Sequence, residues 1–284
     1  MTLQAQEPVY KNYTRAQLDA EYDNVRKVPG FDFPAYLAAL DKANELARRQ
    51  YKEHLKANLP YGTGADETLD LFLINPDGPL HVFFHGGYWR MLHKDDFSYV
   101  ANGILPHGHN LAVINYSLIP NVSMGELVAQ CIKSVEWLMA EGAGLGFDPS
   151  RISISGHSAG GHLAAMMATH PFQYALQSIC AMSGIFDLAP IQKCFLNDVL
   201  NLSDDEVERY SPARRKPVFQ GLMRLITGSE EGVEYALQAE GLVAQWLRQG
   251  LDPDLIFADK HDHFTLRAAL ASPDSDITRA VLFL

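Results

Sequence analysis

Cysteine is scarce in this chain: Cys131, Cys180 and Cys194 are the three among 284 residues. Their wide spacing excludes the paired Cys-x-x-Cys pattern of a zinc or redox site, and they read as ordinary thiols. Long apolar runs are missing as well. No stretch reaches membrane-spanning length, and Met1 to Tyr10 is polar and acidic where a secretory leader would be basic and then apolar. These absences predict a cytoplasmic protein with no membrane partner. Positive charge is in deficit, with 23 Lys+Arg against 34 Asp+Glu and a formal net charge of −11. No basic stripe stands out, and Arg214-Arg215-Lys216 is too short to make one, so nucleic acid is not an expected partner. Internal repeats and low-complexity tracts are absent too.

What is present is enough for one large core. A 284-residue chain with 47% hydrophobic content fits a single domain over 1–284. From Thr68 onward, apolar strand-like runs at 69–74, 80–84, 111–115, 151–155, 176–182, 222–227 and 254–258 alternate with amphipathic stretches. That alternation predicts an α/β fold with a doubly wound, mostly parallel sheet. The segment 1–60 reads as helical, over 15–27 and 33–57, with Phe33, Tyr36, Leu37 and Leu40 on one face. Tyr36 and Phe31 read as packing on the sheet, with a place in a pocket as the competing reading. Leu127, Cys131, Val135 and Leu138 recur at helical spacing and read as core. The stretch 188–217 carries Pro190, Pro212 and Pro217 among polar residues and reads as a small cap.

Gly156-His-Ser-Ala-Gly160 follows one of the strand-like runs and opens a helical one. Two glycines let the chain turn sharply there and lift the Ser158 hydroxyl above the sheet edge, as in a nucleophile elbow. Upstream, the run Leu80 to Phe84 leads into His85-Gly-Gly-Tyr-Trp89, a loop whose Gly86 and Gly87 N–H groups, with that of Ala159, suit an oxyanion hole. A serine needs a base, and the base an orienting acid. His263 in Asp259-Lys-His-Asp-His263 is the candidate base, with His261 its rival. Glu230 and Glu231, after the run at 222–227, place a carboxylate pair where open α/β sheets put their sites. The order serine, acid, histidine is that of the α/β-hydrolases.

The chain resembles the arylformamidase (kynurenine formamidase) branch of the α/β-hydrolases, close to the hormone-sensitive-lipase-like esterases. The resemblance rests on His85 to Trp89, Gly156 to Gly160 with His162-Leu163, Ser183-Gly-Ile-Phe-Asp-Leu188, Asn201-Leu202, Tyr210-Ser-Pro212, Glu234-Tyr235 with Gln238, and Asp262-His-Phe264. It implies Ser158 as nucleophile, His263 as base and Glu231 as acid, where relatives usually carry aspartate. Glu230 is the rival acid, and Asp187 an outside candidate. Gly161 stands where relatives often have alanine, a departure expected to touch packing more than chemistry. The implied reaction is hydrolysis of an aryl formamide such as N-formylkynurenine through an acyl-enzyme. A carboxylesterase for short or aromatic esters is the alternative, and a non-catalytic ligand-binding member of the fold a further one.

No cofactor is required by this chemistry, and the expected partner is a small-molecule substrate; a homodimer stays open. Tyr88 and Trp89 stand beside the oxyanion loop as candidate substrate-stacking residues, with filling of the space under the cap as the competing reading. His107-Gly-His109 and His261-Asp-His263 have an alternating spacing, but no third ligand accompanies either, so no metal is expected. His85 is expected to hold its loop in shape, and His157 and His162 to pack or bond locally.

Overall fold

The computed structural model describes residues 7–284, so most of the stretch read for a leader lies outside the described residues. Eight strands form one sheet: β1 (Leu55–Pro60), β2 (Thr68–Phe72), β3 (Leu80–Phe84), β4 (Asn110–Ile114), β5 (Ile152–His157), β6 (Ser178–Met182), β7 (Leu222–Gly228) and β8 (Asp254–Ala258). Their order is β1-β2-β4-β3-β5-β6-β7-β8. The β1/β2 and β2/β4 pairs are antiparallel, and every other pair is parallel. The helices are α1 (Arg15–Tyr22), α2 (Asn24–Lys27), α3 (Phe33–Gln50), α4 (Ala101–Ile104), α5 (Met124–Leu145), α6 (Ala159–Met167), α7 (Ala189–Lys193), α8 (Asn197–Leu200), α9 (Asp204–Tyr210), α10 (Val233–Leu247), α11 (His263–Ala268) and α12 (Asp276–Val281). The predicted doubly wound, mostly parallel sheet is therefore the fold observed.

Strand periodicity explains why the sheet is buried on both faces. In β3 all five residues are buried. Leu80, Val82 and Phe84 join the apolar layer that holds Ile154 and Leu163, while Phe83 joins the opposite layer with Val113, Met182 and Ile226. The predicted stripe of α5 (Leu127, Cys131, Val135, Leu138) is fully buried in the first layer. That helix starts at a Ser123–Glu126 capping box and stops at Gly146, whose φ of 104° suits glycine. Among the described residues no helix is long and apolar enough to cross a membrane.

Two sequence expectations change. The helix expected over 33–57 ends at Gln50, because Tyr51 leaves helical geometry and a short 3-10 turn, Lys52–His54, feeds the unexpected strand β1. The helix expected over 15–27 is divided at Asp23 (φ −87°, ψ 80°), whose carboxylate accepts the Arg26 N–H and starts a new turn.

Candidate active site

The site forms where β3, β5, β7 and β8 end. Ser158 sits between β5 and α6 with φ 59° and ψ −121°, a strained conformation for a residue with a side chain. Its N–H is tied to Met182 O at 2.9 Å. The turn depends on missing side chains: a Cβ on Gly156 would overlap Gly160 O, and one on Gly160 would overlap Phe84 O. These contacts let β5 hand over to α6 directly against the end of β3.

The loop after β3 lies against that elbow. A Cβ placed on Gly86 would be 3.2 Å from Ser158 Cβ, so this backbone passes directly beside the serine. Gly87 (φ 112°), Tyr88 (φ 49°) and Trp89 (φ 58°) coil the loop in left-handed geometry. Among the described residues the N–H groups of Gly86, Gly87 and Ala159 donate to no protein acceptor. His85 braces the loop: its Nδ1 lies 2.8 Å from Gly86 O, and its ring stacks on Tyr116 at 4.2 Å, as expected for a shaping role.

His263 is the first residue of α11. Asp262 caps that helix by accepting from the N–H groups of Phe264 and Thr265, both at 2.8 Å, which fixes how the imidazole leaves the backbone. His263 Nδ1 lies 2.7 Å from Glu231 Oε2. Glu231 is buried, and its other oxygen accepts from Ser183 Oγ at 2.5 Å and from the Gly228 N–H at 2.6 Å. A carboxylate at that contact favours the proton on Nδ1 and leaves the lone pair on Nε2. Ser158 and His263 line the same cavity, and no hydrogen bond joins their side chains.

The other candidates fall elsewhere. Glu230 is exposed, and its N–H donates to His261 O. Asp187 pairs with Arg214 at 3.0 Å and caps the Ala189 N–H. His261 is absent from the cavity wall. Trp89 is a correction to the stacking expectation: it is fully buried beneath the loop, off the cavity wall, and its indole N–H donates to His162 Nδ1 at 3.2 Å. His162 Nε2 in turn lies 2.6 Å from Tyr210 O, so both ring nitrogens are used locally. Tyr88 does line the cavity. Its hydroxyl donates to Tyr22 O at 2.7 Å and contacts Asn24 Nδ2 and Tyr235 Oη, both at 3.0 Å, which ties the loop to α1, α2 and α10. Burial raises the Tyr88 pKa well above its ordinary value, keeping the phenol neutral.

Burial also depresses the neighbouring histidines. His162 and His85 are pushed down to about 4, and His157, packed on the His263 ring at 4.5 Å, well below its ordinary value. These rings are neutral packing groups near pH 7. Among the described residues no three His, Cys, Asp or Glu side chains gather in a way that could hold a metal.

The cavity encloses about 290 Å³. Phe33 and Leu37 of α3, Phe195 and Leu196 between α7 and α8, and Phe264 of α11 give it apolar walls. Phe31 is not on the wall; it stacks on Phe264 at 4.2 Å, and Tyr36 lies behind it against Arg267. Sequence reasoning gave no role to Ser183, Asn24, Arg90 or Arg267. Ser183 stood in a noted motif, but nothing local linked its hydroxyl to Glu231, 48 residues away.

Solved structures carry the same architecture. One is a presumed thioesterase from Silicibacter sp. tm1040, 29% identical, with a TM-score of 0.83 over 94% of this chain and 99% of that one. The protein is an α/β-hydrolase. A family described as BD-FAE matches residues 69–203. The chain is also similar to a kynurenine formamidase of Danio rerio, 28% identical over 96% of this chain and 97% of the relative. Carboxylesterase NlhH of Mycobacterium tuberculosis is 33% identical over 91 residues, which is 32% of this chain and 28% of the relative. These likenesses make the protein an arylformamidase- or esterase-like hydrolase.

Proposed function

We propose that the protein hydrolyses small aryl formamides of the N-formylkynurenine type through an acyl-enzyme on Ser158. The observation that carries this reading is the Glu231–His263 pair, whose 2.7 Å contact fixes the imidazole in the tautomer a serine base requires. In this mechanism His263 Nε2 removes the Ser158 proton as Oγ attacks the carbonyl carbon. The N–H groups of Gly86 or Gly87 and of Ala159 hold the oxyanion, a contribution typically worth about 100-fold to 1000-fold per donor. His263 then protonates the leaving amine, and water, deprotonated by the same imidazole, releases the acyl group. No step calls on a cofactor.

The near full-length likeness to a kynurenine formamidase supports the formamide, and a 290 Å³ cavity with aromatic walls suits an arylamine leaving group. Carboxylesterase activity is the second reading, favoured by the partial likeness to NlhH. The same proposal treats the chain as one domain, with 188–217 a small cap that lends Phe195 and Leu196 to the cavity. A cytoplasmic setting is part of it, supported by three buried cysteines that form no disulfide.

The deciding experiment measures kcat/KM of wild type and Ser158→Ala on N-formylkynurenine and on a p-nitrophenyl ester series. Formamide preference that vanishes with Ser158 supports the first reading, and ester preference the second. Absence of Ser158-dependent turnover of either substrate would leave a ligand-binding member of the fold.

A further inference from the structure

The single helical turn α2, Asn24–Lys27, reaches both sides of the site with two side chains. Asn24 Nδ2 donates to Tyr88 Oη on the loop after β3 at 3.0 Å and to Tyr235 Oη of α10 at 2.9 Å. Three residues on, a spacing that shares a helix face, the Lys27 ammonium donates to the backbone carbonyl of Glu231 at 2.7 Å. The same ammonium lies 5.2 Å from the centroid of the Tyr235 ring, and that ring packs on His263 at 5.0 Å. Lys27 therefore meets Glu231 directly and His263 through Tyr235.

Holding an ammonium mostly out of water is costly unless its partners repay it. The Lys27 side chain is 17% exposed, and burial lowers its pKa from the ordinary value while Glu21, Glu231 and Glu234 oppose that. Its ion-pair partner, Glu21 Oε2, stands at 3.7 Å, beyond hydrogen-bond reach, so the short bond goes to a peptide carbonyl and not to an acid. That peptide needs holding. Gly232 follows at φ 96°, α10 then starts without a side-chain cap, and a flexible glutamate side chain keeps its carboxylate on Nδ1 only if its backbone is fixed as well. A Cβ on Gly232 would come 2.8 Å from Lys27 Nζ, so the ammonium sits hard against this turn. Asp23, Asn24 and Val25 line the cavity, but Lys27 does not.

We infer that Lys27 is a positioning residue for the reaction: it clamps the Glu231 peptide, seats Tyr235 against the imidazole and sets its charge beside the acid, all from outside the cavity. This inference rests on the hydrolase reading and adds a residue to the same site. Because Lys27 touches no cavity wall, its loss acts on turnover and spares substrate binding. Its charge leaves a second mark. A positive group beside Glu231 disfavours an imidazolium on His263, and Glu21 of α1 offsets that effect. The other groups around that imidazole are His157 and Tyr235, both kept neutral by burial, Asp262, which caps α11, and Arg267 one turn along it. Arg267 pairs with no carboxylate among the described residues and donates to Tyr36 Oη.

The test measures kcat, KM and the pH profile of kcat/KM for Lys27→Met and Glu21→Gln on N-formylkynurenine and p-nitrophenyl acetate. Lys27→Met is expected to lower kcat about tenfold or more on both substrates, the scale of one lost hydrogen bond from a charged group, with KM within about twofold. The acid limb of the profile is expected to move to higher pH in Lys27→Met and to lower pH in Glu21→Gln, opposite shifts that a common loss of packing does not produce. Should Lys27→Met not fold, Glu21→Gln carries the test, since glutamine still accepts the Glu234 N–H, and an unmoved limb there overturns the inference. Proton NMR of the His263 Nδ1 hydrogen, the resonance that Glu231→Gln removes, gives a readout free of turnover, and it is expected to shift in Lys27→Met. Wild-type kcat in Lys27→Met, with limb and resonance unmoved, overturns the inference and leaves the hydrolase reading standing. A shifted resonance in a protein with no Ser158-dependent turnover of either substrate supports the clamp and sinks the hydrolase reading.

Discussion

Replacing Glu231 by glutamine isolates the tautomer argument from the packing argument. The two carboxylate oxygens have separate duties: Oε1 accepts from Ser183 Oγ and the Gly228 N–H, and Oε2 faces His263 Nδ1. A glutamine keeps the first pair of bonds when its carbonyl occupies the Oε1 position. Its NH2 group then points at Nδ1, which must become an acceptor, and the imidazole proton moves to Nε2. A ring protonated there cannot take the Ser158 proton. Wrong-tautomer variants of serine triads lose about 10,000-fold in kcat. At 1.36 kcal/mol per decade that is about 5 kcal/mol of lost transition-state stabilisation. Glu230→Gln, at an exposed carboxylate, should change kcat/KM by less than about twofold. The assay is steady-state hydrolysis of N-formylkynurenine and of p-nitrophenyl acetate by both variants, alongside thermal melts that check folding. A folded Glu231→Gln enzyme within tenfold of wild type, or a Glu230→Gln enzyme equally damaged, would refute the reasoning.

Ser183→Ala removes one of the three donors on Glu231, and a lost hydrogen bond to a charged group, worth about 1.5–3 kcal/mol, should lower kcat/KM by about 10-fold to 150-fold; unchanged kinetics would show that the Ser183 bond does not position the acid. Gly161→Ala puts a Cβ 2.5 Å from Met182 O and 3.0 Å from Gly184 Cα, so it should destabilise by about 1–3 kcal/mol despite the helix propensity of alanine, and an unshifted melting temperature would contradict that packing. Acid should weaken the fold through histidines buried neutral. His81 is pushed down to about 3 and His85 and His162 to about 4, so between pH 6.5 and 4 the unfolded chain binds more protons than the native one. Stability is therefore full above pH 6.5 and falls as the pH drops toward 4, by up to about 1.4 kcal/mol per unit for each ring. Denaturant melts from pH 7.5 to 4.5 read this slope, and a flat profile would count against it.

Seven of the eight strands were legible because each is an apolar run within a repeating unit, and the elbow at Ser158 and the turn at Gly86 and Gly87 because glycine spacing marks them locally. The strand β1 was not. It is an edge strand with no buried residue, a register shift between Lys56 and Leu59, and Asn58 at φ 57°, so it offers no apolar alternation to read. Trp89 misled for a related reason: consecutive positive φ values at Tyr88 and Trp89 set which ring meets the cavity, and composition carries no sign of that twist. That Glu231 and not Glu230 meets His263 depends on a hydroxyl just after β6 and a backbone N–H of β7 that hold its carboxylate, and the unpaired Arg267 is defined by which acids fail to reach it. Each is a tertiary fact with no counterpart in sequence spacing.

The cavity draws Tyr22, Asn24 and Leu37 from ahead of the first strand and His263 and Arg267 from beyond the last. During synthesis the elbow at Ser158 therefore leaves the ribosome with neither His263 nor the α11 side of the cavity, and more than a hundred further residues must follow before both are in hand. Premature termination or a cut ahead of β1 should yield an inert product, not an unselective esterase.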